Sequence, residues 1–341
     1  MHPTLLPAVE QVIRGHDLSA NEMRDCIGAI MDGECDTIDV ASLLTAICCK
    51  GPAAIEIVGA AQAMRDRAAR IATRRRPLLD TCGTGGDQLH TFNISTATAI
   101  VAAACGVAVA KHGNRSVSSS SGSADVLEAL GVNIRLTPDQ SAQCLDDIGI
   151  TFCFAQLVHG AMKHAAPIRK ALGFPTIFNL LGPLTNPAGA EYQLLGASGI
   201  RRAKLIAAAL SVLGCRKALV VCGNNELDEV CLWGPTAVFE VQGGRVNRTQ
   251  WTPEDFGLPE CDVRSLRVRS ALESAAFVRS ALGGEDSPGT GIVTANAAAA
   301  LLAAERCTDL KEAVSQVQAV LKSGKGIEKL EQLVSWTQAN A

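Results

Sequence analysis

The chain has no excess of charge of either sign. Its 31 Lys and Arg stand against 34 Asp and Glu, a formal charge of −3, and basic residues cluster only in the short run Arg74-Arg75-Arg76. Binding to a phosphate backbone needs clustered cations, so no nucleic-acid partner is expected. There is no C-x-x-C pair among the 13 cysteines, and the six histidines show no H-x-x-x-H or mixed Cys/His spacing, which argues against zinc. The cysteine count is odd, Cys48 adjoins Cys49, and most others lie in apolar runs. They read as small buried thiols in a reducing compartment. No apolar stretch approaches membrane-spanning length without a glycine or a charge, and no basic-then-apolar signal pattern opens the chain. A soluble, cytoplasmic protein without a membrane partner is expected. Two familiar phosphate loops are also missing. There is no G-x-x-x-x-G-K-[ST], and Gly83-Thr84-Gly85-Gly86 lacks the third glycine of G-x-G-x-x-G. No internal repeat appears.

What is present is a long, apolar chain. The 341 residues are 48% hydrophobic and 19% charged, enough for a large core and for two domains. Residues 1–73 carry helical spacing throughout. Leu5, Val9, Val12 and Ile13 share a face, Gly15 closes that helix, and Ser19 with Glu22 forms a capping box that opens a second helix reaching about Gly33. Residues 40–49 and 53–72 continue the pattern, and no strand-like alternation interrupts it. After Pro77 short apolar strands alternate with helices. Strands are expected at 78–81, 107–111, 133–136, 151–154, 192–197 and 218–223, with a pair near 238–241 and 244–247. Helices are expected at 95–105, 123–130, 138–148, 162–172, 202–213, 295–304, 310–321 and 327–337. The stretch 252–288 gives no clear periodicity. The pattern predicts an α/β fold: a small N-terminal α-helical domain and a large α/β domain with a mostly parallel central sheet covered by helices. The helical domain is expected at 1–73, joined by about 165–189, and the α/β domain at 74–164 and 190–341.

Three polar turns fall at the carboxyl ends of successive strands, where open parallel sheets bind ligands. The first is Gly83-Thr84-Gly85-Gly86-Asp87, whose glycines let the main chain approach a ligand closely. The second, Thr91 to Thr96, places Ser95 and Thr96 where a helix begins and free N–H groups face outward. The third, Lys111 to Ser119 (KHGNRSVSS), adds the cations Lys111 and Arg115. Asp87 suits a sugar hydroxyl or a cation. A sugar carrying phosphate at both ends fits this layout.

These segments, together with Gly122–Gly131 (GSADVLEALG), Ala166–Arg169 (APIR), Asn179–Pro187 (NLLGPLTNP) and Leu227-Asp228-Glu229, resemble the anthranilate phosphoribosyltransferase family of the nucleoside-phosphorylase-like phosphoribosyltransferases. The resemblance runs through nearly the whole chain in the expected order. It implies that the amine of anthranilate displaces pyrophosphate from phosphoribosyl pyrophosphate, with Mg²⁺, in a homodimer, and it admits an association with anthranilate synthase. It implies donor contacts by Gly83, Gly86, Asp87, Thr91, Asn93, Ile94, Ser95, Thr96, Lys111, His112, Gly113, Asn114, Arg115, Ser116, Val117, Ser118, Ser119 and Ser123. Anthranilate would be held by Gly83, Asn114 and Arg169, and Mg²⁺ by Ser95, Asp228 and Glu229. No general base is assigned, because an arylamine carries its own lone pair. His159 is a candidate for the aromatic-substrate entrance.

Three positions depart from the family text: Gln88 where Gly is common, Ser120 where Lys is common, and Gly160 where Pro is common. Ser120 removes a cation beside a phosphate loop and bears on donor affinity. Two other readings are a pyrimidine-nucleoside phosphorylase, which shares the fold, and a repurposed nucleic-acid-binding relative.

Overall fold

The structure, a computed structural model, describes residues 1–115 and 122–340. Four helices lead the chain: α1 (Leu5–Ile13), α2 (Ala20–Asp32), α3 (Thr37–Lys50) and α4 (Ala54–Asp66). The Ser19–Glu22 capping box forms as the sequence predicts, and Gly33 ends α2 in the left-handed region. Inside this bundle the fully buried Glu56 is neutralised by Lys50 at 2.9 Å and accepts from the Leu18 and Ala53 amides. The expected helix over 53–72 stops at Asp66. Beyond it the chain runs extended, with the Ala69 and Ile71 amides donating to Val158 and Pro187 carbonyls.

The sheet has seven strands: β1 (Leu78–Gly83), β2 (Ala108–Gly113), β3 (Ile150–Phe154), β4 (Tyr192–Gly196), β5 (Lys217–Gly223), β6 (Thr236–Gln242) and β7 (Arg245–Trp251). Their order is β3-β2-β1-β4-β5-β6-β7, parallel from β3 to β5 and antiparallel across β6 and β7. β3 and β4 are buried along their whole length, as a sheet covered on both faces requires. One face packs against the helices Ile94–Ala104 and Pro288–Ala303, with Ala271–Leu282 packed on those helices in the larger core. On the other, helix Ile200–Leu213 packs on α4, and the four-helix bundle shares a core with it. The segment from Ala166 returns to the bundle, touching α3 with Ala166–Leu172 and α4 with Phe178–Leu181.

Several expectations shift. Residues 133–136 are not a strand. Val132, Ile134 and Leu136 are buried in alternation, but among the described residues no strand lies beside them to pair with, and the Asn133 amide bonds to Thr337 Oγ1 instead. The helix expected over 162–172 is broken, a 3₁₀ turn at Gly160–Lys163 giving way to Ala166–Leu172 with Pro167 in its first turn. The stretch without clear periodicity contains helix Ala271–Leu282, capped by Ser270. Cys48 and Cys49 are exposed rather than buried, and all 13 cysteines are free thiols.

Candidate active site

The strand order reverses between β1 and β4, so the crevice beyond the carboxyl end of β1 lies at a topological switch point. The glycine turn leaves β1 at this crevice. The return after β5 folds over it, bringing Asp228 so close that a Cβ on Gly83 would lie 2.4 Å from Asp228 Oδ2. A Cβ on Gly196, at the end of β4, would lie 1.5 Å from the Asp228 carbonyl oxygen. Only glycine at both strand ends admits this crossing. Asp228 Oδ2 then accepts the Gly85 amide at 2.7 Å, and Asp87 Oδ1 accepts the Leu89 amide at 3.1 Å.

The second turn completes the cluster. Asn93 caps helix Ile94–Ala104, its Oδ1 accepting from the Thr96 amide at 3.0 Å and from Ser95 Oγ at 3.3 Å. Thr91 is held by an antiparallel bridge to Arg267. Ile94 is buried in the core, so its side chain faces away from any ligand. Lys111, only 3% exposed, reaches from β2 to the Thr81 carbonyl at 2.5 Å and Ser95 Oγ at 3.0 Å. The sequence-predicted Gly83, Gly86, Asp87, Ser95, Lys111, Asp228 and Glu229 therefore converge from four separate stretches.

The electrostatics of the cluster are set by burial. Burial pushes the Asp228 carboxyl up to about 7, with the Asp87 charge adding to it. Burial likewise raises Asp87 and, with help from Asp228, raises Glu229 well above the usual carboxylate range. Burial lowers Lys111, while Asp80, Glu229 and Asp228 oppose that shift. Three carboxyl groups share the space with a single buried ammonium. Among the described residues no group of three or more His, Cys, Asp or Glu side chains encloses a metal on its own. A divalent ion here would complete its shell with substrate oxygens, as Mg²⁺ ordinarily does.

Other predicted residues lie around this centre. Asn114 Oδ1 accepts the Arg115 amide at 2.8 Å, and Ser123 Oγ donates to the Asn114 carbonyl at 3.4 Å. Arg115 is ion-paired with Asp125 at 2.8 Å and Glu128 at 2.6 Å, so its charge is already answered. Thr96 is buried with its hydroxyl unpartnered among the described residues. Ser116, Val117, Ser118 and Ser119, with Ser120, lie outside the described residues. Arg169, half-buried, sits 5.3 Å over the Phe178 ring. His112 points to the opposite face of the sheet from Lys111. Its Nδ1 lies 3.0 Å from the Gly182 carbonyl, and its ring stands edge-on to His159 at 5.1 Å.

Sequence reasoning missed the residues that join these turns. Asp80, fully buried, binds Asn186 Nδ2 at 2.8 Å and the His112 amide at 3.1 Å, tying β1 and β2 to the 182–188 crossing. Ser198 and Asn225 also bridge loops at the site. Gly196 carried a signal, a glycine ending an apolar strand, that marks a close backbone approach.

Comparison with known proteins agrees with this arrangement. Residues 75–327 match the family model described as the glycosyl transferase family, a/b domain, and residues 6–68 match the glycosyl transferase family, helical bundle domain. An anthranilate phosphoribosyltransferase of Desulfatibacillum aliphaticivorans is 45% identical over 332 residues, 97% of this chain and 98% of that protein. The crystal structure of anthranilate phosphoribosyltransferase from Thermus thermophilus superposes with a TM-score of 0.91 at 42% identity, covering 97% of this chain and 99% of that one. The Saccharomyces cerevisiae enzyme in complex with PRPP and Mg gives a TM-score of 0.92 at 27% identity, covering 99% of each chain.

Proposed function

We propose that this chain, which belongs to the anthranilate phosphoribosyltransferase family, transfers the phosphoribosyl group of phosphoribosyl pyrophosphate to the amine of anthranilate and releases pyrophosphate. The observation that carries the reading is the convergence of the glycine turn, Ser95, Lys111 and the Asp228-Glu229 pair at the β1–β4 switch point. In this reading the backbone N–H groups of Gly86 and Asp87 and the helix start at 94–95 cradle the donor's phosphates. The Lys111 ammonium, preorganised by two hydrogen bonds, meets negative charge that builds on the departing pyrophosphate.

The donor set fits a hard divalent cation. Asp228, Glu229 and Ser95 offer oxygen ligands, and a cation would offset the burial, and after it the mutual repulsion, that holds the carboxyls high. When bound, Mg²⁺ neutralises charge on the leaving group. Anthranilate is a neutral nucleophile with a free lone pair, so the chain's task is positioning. Asn114 and Arg169 are the residues proposed to orient it, Arg169 through bidentate recognition of the carboxylate. Burial depresses the Arg169 guanidinium from its ordinary range, which a carboxylate ligand would offset. The bundle packed beside the sheet would exclude water from the activated anomeric carbon.

A homodimer through the bundle is supported by its exposed apolar residues. Ile13 is 71% exposed and Ile38 75% exposed on the packed pair α1 and α3, with Leu6 beside them. Sedimentation of wild type against Ile13→Asp/Ile38→Asp tests it, a dimer turning to monomer being the expected result.

The function is tested by following anthranilate fluorescence with donor and Mg²⁺. Loss of fluorescence matched by pyrophosphate release is expected. Phosphorolysis of a pyrimidine nucleoside, with anthranilate untouched, would select the phosphorylase reading instead.

A further inference from the structure

Gly85 is held at both of its peptide groups. Its N–H donates to Asp228 Oδ2 at 2.7 Å, and its carbonyl, which shares a peptide plane with the Gly86 N–H, accepts from Ser198 Oγ at 3.1 Å and from Thr84 Oγ1 at 3.3 Å. Ser198 stands in the turn between β4 and helix Ile200–Leu213, and its own amide reaches Thr84 Oγ1 at 3.4 Å. The Ser198 hydroxyl in turn accepts a hydrogen bond from Arg202 Nη1. That contact fixes the hydroxyl rotor, because an oxygen accepting from a guanidinium turns its own hydrogen elsewhere, here toward Gly85. Arg202 is half-buried and, among the described residues, makes no ion pair with a carboxylate. It also lies in the first turn of its helix, where the helix dipole disfavours a cation. A half-buried charge in an unfavourable field, with no carboxylate partner among the described residues, adds no ion pair to the stability of the helix.

The β5 return completes the arrangement. Asn225 Oδ1 accepts the Ile200 amide at 2.9 Å and so locks the start of Arg202's helix to the loop that carries Asp228. Three loops thus close into a ring around the Gly85 peptide, and the Ser198–Arg202 side of it has no assigned role.

We propose that Arg202, acting through Ser198, is a positioning residue that sets the orientation of the Gly85–Gly86 peptide and with it the Gly86 amide that receives the donor's pyrophosphate. The proposal rests on the reading that the glycine turn binds phosphoribosyl pyrophosphate. Because the two side chains act in series, loss of either has the same consequence, and loss of both adds little.

Steady-state kinetics of the full-length enzyme with Mg²⁺, together with calorimetric binding of phosphoribosyl pyrophosphate and thermal unfolding, test it. Arg202→Ala and Ser198→Ala are each expected to raise the donor KM about tenfold, as loss of a charge-assisted hydrogen bond would. The anthranilate KM should stay within about twofold, and the double variant should match the worse single one. Arg202→Lys, which keeps a donor and a charge, should recover most of the donor affinity. Donor KM values near wild type in both single variants, or effects that multiply in the double variant, would overturn the proposal while leaving the function intact. So would a fall in kcat and unfolding temperature that Arg202→Lys does not repair, since that marks a structural role only. A wild-type enzyme that neither binds the donor nor consumes anthranilate would remove the underlying reading and this proposal together.

Discussion

Lys111 and His112 are neighbours on β2, both buried, yet they live in opposite electrostatic settings. Strand alternation sends Lys111 to the face where the first turn of helix Ile94–Ala104 and the Asp228-Glu229 return gather. It sends His112 to the face of the 182–188 crossing, where its neighbour is His159. On the first face, opposite charges and hydrogen bonds offset part of the burial cost. On the second, burial drives His112 down to about 3 and His159 to about 4, and three ring nitrogens of the pair find no partner among the described residues. The Lys111 face gathers the groups offered to a polyanion, while the other face holds the histidine pair beside the hydrogen-bonded Asp80. Burial alone does not mark a functional residue; the company of countercharges does.

The contrast breaks most sharply at Lys111. Lys111→Met is expected to lower kcat/KM by about a thousandfold in the anthranilate assay, because it removes the buried cation of the cluster. Asp228→Asn with Glu229→Gln should lower it by about a hundredfold and flatten its dependence on Mg²⁺ concentration. Normal Mg²⁺-dependent turnover in that variant would detach the acidic pair from the metal. Next comes the crossing that positions Asp228. Gly196→Ala forces a Cβ into the Asp228 carbonyl and should destabilise the fold by about 2–3 kcal/mol in chemical denaturation, with activity falling in parallel.

The histidine face should show itself in stability rather than rate. His112 and His159 titrate lower in the folded chain than their ordinary 6.5, so the unfolded chain binds more protons as pH falls. Their contribution is full above about pH 6.5 and is lost as pH drops through about 4 and then 3. The unfolding temperature should fall across that window, and His159→Gln should shallow the fall. His112→Gln should change donor KM by less than about tenfold, the smallest of these effects. A larger change would join the two faces into one site.

Much of this was legible in the sequence because it depends on local chemistry. The Ser19–Glu22 capping box rests on residues within a turn of one another, and the strands at 78–81 and 107–111 and the helix from Ser95 on short local runs, although both strands run two residues further and Asn93 is the cap. The acidic pair was visible as a motif, although its contact with a loop 143 residues earlier was not. What escaped depends on partners distant in sequence. Val132, Ile134 and Leu136 alternate like a strand, but their burial comes from neighbouring helices rather than a ladder. Arg115 read as a cation for phosphate, and only the fold reveals Asp125 and Glu128 around it. Helix Ala271–Leu282 hid because Leu272, on its outer face, is exposed and blurs the apolar stripe. Ser198 and Arg202 carry no motif at all; their meaning comes from Gly85 lying across the crevice.

A crystal structure of the enzyme with phosphoribosyl pyrophosphate and Mg²⁺ tests the account where it is most exposed. The pyrophosphate is expected over the amides of residues 86–87, with the ion between it and the Asp228-Glu229 carboxylates and Lys111 close to the leaving oxygens. Donor density on the His112–His159 face, or against Arg115 with the glycine turn empty, would contradict it.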